Sequence, residues 1–397
     1  MQTRITLSLK EVRAANWTRH HVVPGTQTDQ IAALTESLVG LHSARLTTPF
    51  FASRIRLTGF NRRLWTDATQ CARSVIKLRC MRRTLHTASH ELAPILHQST
   101  LAFRLADVRR QYATLGATDA QIAGMREEVM LEVERGPVSA RQIEDRILCR
   151  TKRSDRNAQL LLRTALKELW EEGSLCYLNF SDRLGGEVRQ YGSLQREFPN
   201  LNLNKIDVES AQRQLVAAHV YSYGPVTIKD ISWWSGLSSR RILSILNQLR
   251  RSITQVVVDG FPHDFFIDSN TLEWIKHNKL SNEPWAEFLA YEDPSLKGYY
   301  QSRRRYVSDD FAISLFNKIG EARASIICSG EVIGIWDWKL PKRNIRFLLF
   351  RRLSGEEQRL VQAALVKLSN FIEDETGTGI GCVVESCDTS GLTEASE

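Results

Sequence analysis

Arginine supplies the first chemistry that this 397-residue sequence offers. Residues 1–110 hold 17 Lys/Arg against 6 Asp/Glu, a balance of +11, while the other 287 residues balance at −3. Fifteen of those 17 cations are Arg, among them Arg45, Arg54, Arg56, Arg62, Arg63, Arg82, Arg83, Arg109 and Arg110. A planar guanidinium grips a phosphate through two parallel hydrogen bonds, where Lys offers a point charge. A basic first quarter on a near-neutral body predicts a nucleic-acid-facing surface, with a solvated face that binds nothing as the alternative.

Other groupings promise less. His86 and His90 stand four apart, but no nearby Cys or acid completes a zinc set, so no metal is expected. The seven cysteines (Cys71, Cys80, Cys149, Cys176, Cys328, Cys382, Cys387) are odd in number and form no C-x-x-C pair, which predicts reduced thiols. Gly377-x-Gly379-x-Gly381 lacks a preceding strand and reads as a linker, not a dinucleotide loop, so no cofactor is expected. Composition is globular, at 42% apolar and 25% charged residues. The length predicts two to four domains. No run reaches the roughly 18 apolar residues of a membrane-spanning helix. Arg4, Lys10, Glu11 and Arg13 stand where a signal peptide needs an apolar core, so the expected location is cytoplasmic.

The elements that must position these residues come from a repeat. Gly136-Pro137-Val138-Ser139 returns as Gly224-Pro225-Val226-Thr227. In each copy Gly-Pro ends the preceding helix, and Ser139 or Thr227 can hold the free amides of the next one. Gln142 and Asp230 follow three residues on, as in a capping box, with Asp the weaker third member. Apolar helical stripes then run over 160–169 and 242–249. Hairpins follow, 174–179 with 188–191 and 253–258 with 265–267, the second turned near Asp259-Gly260. Short helix, turn, longer helix and β-hairpin is the winged helix-turn-helix order. Arg240-Arg241 opens the recognition helix of the second repeat, where phosphate contact is expected, while Trp233-Trp234 reads as core.

A third unit is expected at the N-terminus, with Ser8 capping a helix to Arg19, Thr28 capping a helix over 29–38, and a basic hairpin over 75–86. Near the other end, 324–328 and 331–338 read as a hairpin turned at Ser329-Gly330, followed by a strand over 345–350 and a closing helix over 356–371. The fold class is thus α+β: tandem winged helix-turn-helix repeats with a small β-rich, barrel-like C-terminal domain. The expected divisions are 1–110, 111–200, 201–275 and 276–372, with an acidic disordered tail at 373–397.

Several of these segments carry a family resemblance. Met81-Arg82-Arg83-Thr84-Leu85-His86, Tyr223-Gly224-Pro225 through Trp233-Trp234-Ser235-Gly236-Leu237, Leu289 to Gly298, and Gly330-Glu331-Val332-Ile333-Gly334-Ile335-Trp336 occur in order along the chain. In these the sequence resembles the AlkZ/YcaQ-type winged-helix DNA glycosylases. The resemblance implies three winged helices presenting a basic surface to duplex DNA, and monofunctional release of alkylated purines, N7-adducted or crosslinked. It also implies a role in genotoxin self-resistance, with no metal or nucleotide cofactor.

The family's Gln-x-Gln or Gln-x-Asp motif follows a Gly-Leu or Gly-Val pair. Here Gly40-Leu41 is followed by His42-Ser43-Ala44, so the resemblance assigns His42 to the first motif position and Ala44 to the second. An N7-alkylated purine is already cationic, so the enzyme must stabilise an oxocarbenium-like sugar and hold a water. A neutral His42 can accept from that water; Ala44 cannot. His42 is therefore the catalytic candidate, and Arg45, Arg54, Arg62, Arg63, Arg82, Arg83, His86, Arg240 and Arg241 are the DNA-binding candidates. The expected partner is damaged duplex DNA, bound by a monomer away from membranes. A catalytically impaired relative that binds damage without excision, and a DNA-binding regulator, remain alternatives.

Overall fold

Capping residues read from the sequence start three helices where expected. Ser8 caps Leu9–Arg19, its hydroxyl accepting from Glu11 N at 3.2 Å while the Glu11 carboxylate accepts from Ser8 N at 2.8 Å. Ser139 with Gln142 and Thr227 with Asp230 form the same reciprocal pair in the two repeats. The computed structural model describes residues 5–151, 155–181, 183–278, 283–339 and 344–385. Within these the chain divides into two compact units, residues 1–62 with 216–397, and residues 63–215.

In the first unit, helices Ile228–Ser235 and Ser239–Gln248 lead into the hairpin Ile253–Val258 and Asp264–Asp268. Thr6–Leu7 joins that hairpin as a parallel third strand, so Leu7, Val12 and Ala15 share a core with Val256, Phe265 and Ile267. A five-stranded sheet follows, running in spatial order Gly381–Glu385, Asn344–Leu349, Glu331–Lys339, Ser325–Cys328 and Ala286–Leu289. Ser329 and Gly330, at φ 45° and 93°, make the two-residue turn that the sequence predicts between two of these strands. Helix Gly355–Thr376 buries Val361, Leu365, Leu368 and Ile372 in one core with Phe51, Phe288, Ile326 and Phe347.

In the second unit, helices Ala93–Leu115, Asp119–Val133, Ala140–Thr151 and Arg156–Glu172 bury Val108, Tyr112, Val129, Ile143 and Leu162 together. The hairpin Leu175–Asn179 with Arg189–Ser193 follows them. A second hairpin pairs Val75–Arg79 with Leu85–Ser89.

Four sequence expectations need correction. Thr28 caps no helix: its N–H donates to Arg56 O at 3.0 Å and its carbonyl accepts from Thr58 N at 2.9 Å, and the helix is Ile31–Ser37 with no side-chain cap. A boundary at 110 falls inside helix Ala93–Leu115, whose Val108 and Tyr112 pack on one core, and residues 1–62 group with 216–397 instead. The C-terminal sheet is open, since among the described residues no pairing joins Gly381–Glu385 to Ala286–Leu289. The expected tail is ordered at its start, with 373–376 inside the closing helix and Gly381–Glu385 pairing in parallel with Asn344–Leu349; residues 386–397 lie outside the described residues.

Candidate active site

His42 is delivered by a sharp reversal. The carbonyl of Thr35 accepts from Gly40 N at 2.7 Å at the end of helix Ile31–Ser37, and Gly40 takes φ 94°, a conformation that disfavours any side chain. Leu41 is fully buried and anchors the two-residue strand Leu41–His42. His42 is 7% exposed. The next residues lead into helix Thr47–Arg54, where Thr48 Oγ1 donates to Tyr291 O at 2.9 Å. That bond ties the motif segment to residues 289–298, some 250 positions along the chain.

This contact brings in a group that sequence reasoning missed. Glu292 Oε2 stands 3.7 Å from His42 Nε2 and 2.5 Å from Lys297 Nζ. Its Oε1 accepts from Ala322 N at 2.6 Å, and its own N–H donates to Ala322 O at 2.8 Å. Glu292 is 2% exposed, and its φ of 56° lies in the left-handed region. Burial pushes its carboxyl above the usual carboxylate range, with the Lys297 ammonium and the Ala322 amide opposing part of that rise. Lys297 also donates to Gly320 O at 3.2 Å. An imidazole and an ammonium thus face one oxygen of a buried carboxylate, an arrangement able to hold and move a proton. The available signal was Glu292-Asp293 before Pro294, where Asp293 reads as the cap of the short helix Pro294–Lys297 and Glu292 as unexplained.

Beside this cluster a cleft of about 90 Å³ is lined by Arg45, Thr47, Thr48, Tyr291, Trp336 and Asp337 among others. The Arg45 guanidinium lies 3.5 Å from the centre of the Tyr291 ring, and Tyr291 Oη donates to Glu321 Oε2 at 2.5 Å. Ala44 and Arg45, which follow His42 closely in the chain, are both exposed.

The remaining predicted residues divide sharply. Arg54 is withdrawn from any surface role: it donates to Glu287 Oε2 at 3.2 Å and Phe288 O at 3.1 Å, with a side chain 8% exposed. His86 is buried as well, its Nδ1 lying 3.3 Å from Cys80 Sγ, a thiol that burial pushes up to about 12. Arg62 is exposed and bonds to Glu375 through its backbone N–H at 2.9 Å. Arg63 is exposed. Arg82 and Arg83 sit in the hairpin turn at φ 50° and 61°, with Arg83 paired to Asp107. Arg240 is exposed and Arg241 partly so, in the first turn of Ser239–Gln248. Trp234 is buried against His219, and Trp233 stacks on Tyr300 at 5.6 Å, so the pair serves packing as the sequence predicts.

The basic first quarter is not the bare phosphate surface that its balance suggests. Arg13, Arg54, Arg56, Arg62, Arg73, Arg79 and Arg104 each pair with an acid from beyond residue 110: Glu331, Glu287, Asp293, Glu375, Glu197, and Glu171 for the last two. Arg56 is the extreme, fully buried, with Asp293 at 2.6 and 2.9 Å. Charge counted along a chain is neutralised in space by acids far away in sequence.

Among the described residues no group of three or more His, Cys, Asp or Glu is placed to hold a metal ion. None of their helices is long and apolar enough to cross a membrane. An α+β chain with two helix–helix–hairpin segments and a histidine–carboxylate site belongs with proteins that act on DNA by its family signature: the profile described as DNA glycosylase AlkZ-like matches residues 35–371. The chain belongs to the AlkZ-like DNA glycosylase family. Its fold is similar to that of the Streptomyces sahachiroi DNA glycosylase AlkZ, at a TM-score of 0.74 and 16% identity over 96% of this chain and 100% of that one. No curated protein sequence matches the chain.

Proposed function

We propose that the protein is a monofunctional DNA glycosylase that removes alkylated purines, N7-adducted or crosslinked, from duplex DNA. One observation carries the reading: His42, at the family's first motif position, is set beside a buried carboxylate, 3.7 Å away. In the proposed reaction the cationic purine departs without acid assistance, because its ring nitrogen already bears the charge. His42 accepts a hydrogen bond from the attacking water and takes its proton as the oxygen bonds to the anomeric carbon. The segments 136–192 and 224–268 act as winged helices on the duplex, with Arg45, Arg62, Arg63, Arg82, Arg83, Arg240 and Arg241 meeting phosphates. Arg54 and His86 leave that set because their partners are internal. The protein works as a cytoplasmic monomer, and self-resistance to a DNA-alkylating metabolite is its biological setting.

Incubation with methylated duplex DNA followed by alkali cleavage tests this directly, since base release leaves alkali-labile abasic sites. Strand breaks that depend on the protein are the expected result. Binding without breaks would favour the second reading, to which Ala44 points: a relative that lacks half of the motif and holds damaged DNA without excision.

A further inference from the structure

We infer that Glu292 is the positioning residue of the active site, a carboxylate that orients the His42 imidazole and supports its positive charge, so that the missing second motif residue is replaced by a group from 250 positions downstream. The inference rests on the proposed glycosylase reading, and four observations lead to it. Glu292 is buried, yet no packing need explains a carboxylate there, since an apolar side chain would avoid the desolvation cost. Its backbone adopts φ 56°, an unfavourable conformation for a non-glycine residue of the kind that clusters at functional sites. Its Oε1 is fixed by the Ala322 amide, which leaves Oε2 aimed between Lys297 and His42. The motif segment and the Glu292 segment are joined independently by the Thr48–Tyr291 bond.

A carboxylate facing Nε2 favours the tautomer protonated there, with Nδ1 as the acceptor, and it stabilises the imidazolium that forms when a proton is taken from water. At 3.7 Å the contact is an ion-pair separation, longer than a hydrogen bond, and such contacts shorten when a substrate closes the site. The Lys297 ammonium, 2.5 Å from Oε2, favours the ionised form of Glu292 against the burial that raises its carboxyl. The charged groups facing this cluster are Glu292, Lys297, Glu321 and Arg45.

The test compares the full-length wild-type protein with Glu292→Gln, which keeps the acceptor for Ala322 N and removes only the charge. Taking an anion away from His42 lowers the imidazole pKa, and the nearby Lys297 charge acts in the same sense. The acid limb of the kcat profile on methylated duplex therefore moves to lower pH by about one unit, while kcat falls at least about tenfold and KM stays within about twofold. Glu292→Asp, with the same charge on a shorter arm, recovers part of both effects and serves if the Gln variant does not fold. The His42 ring resonance, assigned by its loss in His42→Ala, is titrated by NMR in parallel. An unchanged His42 titration or an unmoved acid limb in Glu292→Gln overturns the inference. Absence of excision by the wild type overturns the glycosylase reading alone, because the NMR titration still decides whether Glu292 holds His42.

Discussion

His42 has one proposed contact that exists only while the glycosidic bond is breaking, so its loss is read in turnover and not in affinity. His42→Ala is expected to lower kcat on a methylated duplex by roughly 10²–10⁴, the usual scale of a positioned base, with duplex Kd within about twofold. Undiminished excision would move the search to Thr47 and Thr48, which line the adjoining cleft. Ala44→Gln should raise turnover by restoring an acceptor at the second motif position, and the exposure of Ala44 gives the longer side chain room. A second single-residue expectation concerns Arg56. Its guanidinium bonds Asp293, Ser295 Oγ, Ala52 O and His20 O with no exposure, so Arg56→Met strands a buried carboxylate. A loss of about 3–5 kcal/mol in denaturant unfolding is expected, whereas Arg240→Ala, on an exposed helix start, should cost almost nothing.

At the scale of the element, Asp230 shows why a capping residue that is weak on paper suits its place. Its Oδ2 accepts from Thr227 N at 3.0 Å and from Ser302 Oγ at 2.6 Å, which completes the capping box of Ile228–Ser235. Oδ1 accepts from three successive amides, Tyr300, Gln301 and Ser302, at 2.8, 2.7 and 3.1 Å. A Glu at this position would reach too far to cap the helix and hold that loop at once. Burial alone would raise the Asp230 carboxyl, but Arg305 and these hydrogen bonds outweigh it and hold the group below its usual range. A depressed carboxyl contributes stability that is fully present above its unfolded value near 3.8 and is lost as pH falls below it. Asp230→Ala leaves the amides of a buried loop without their acceptor and should destabilise by about 3 kcal/mol or more. A change below about 1 kcal/mol in equilibrium unfolding would show that water replaces the carboxylate there.

For the whole molecule, acid stability depends on histidines as well as carboxylates. Burial holds His97 down to about 3 and His219 down to about 4, and pushes His20 well below its usual value. Each remains neutral when folded but protonates near 6.5 when unfolded. Their contribution is therefore complete above about pH 6.5 and is lost as pH falls toward 4, at up to about 1.4 kcal/mol per pH unit per histidine. Melting temperature should decline between pH 7 and 5, and His219→Gln should flatten the decline; a flat profile in the wild type would contradict the buried-neutral assignment. Charge also acts at this scale. Because six arginines of the first quarter outside the proposed phosphate contacts are paired with distant acids, the salt dependence of duplex binding should be shallower than a balance of +11 suggests. Arg240→Ala should reduce that slope by about 1 if it meets a phosphate.

What could be read from the sequence was whatever is encoded within a few residues. The cap at Ser8, the capping boxes at Ser139 and Thr227, the Ser329-Gly330 turn and the two helix–helix–hairpin segments depend on local backbone preferences, and all form where expected. The reversal at Gly40 that presents His42 became visible only in the structure. Tertiary structure alone decided which arginines remain at the surface, because Asp293, Glu287 and Glu171 reach Arg56, Arg54 and Arg104 only through long-range folding. It also decided the partner of His42, since the one carboxylate within ten residues of the motif, Glu36, is exposed, and the sheet and loops around 286–322 carry Glu292 to it. Hydrogen-bond geometry over a helical turn is a local property; charge compensation in a low-dielectric interior is set by whichever groups the fold brings within a few ångströms.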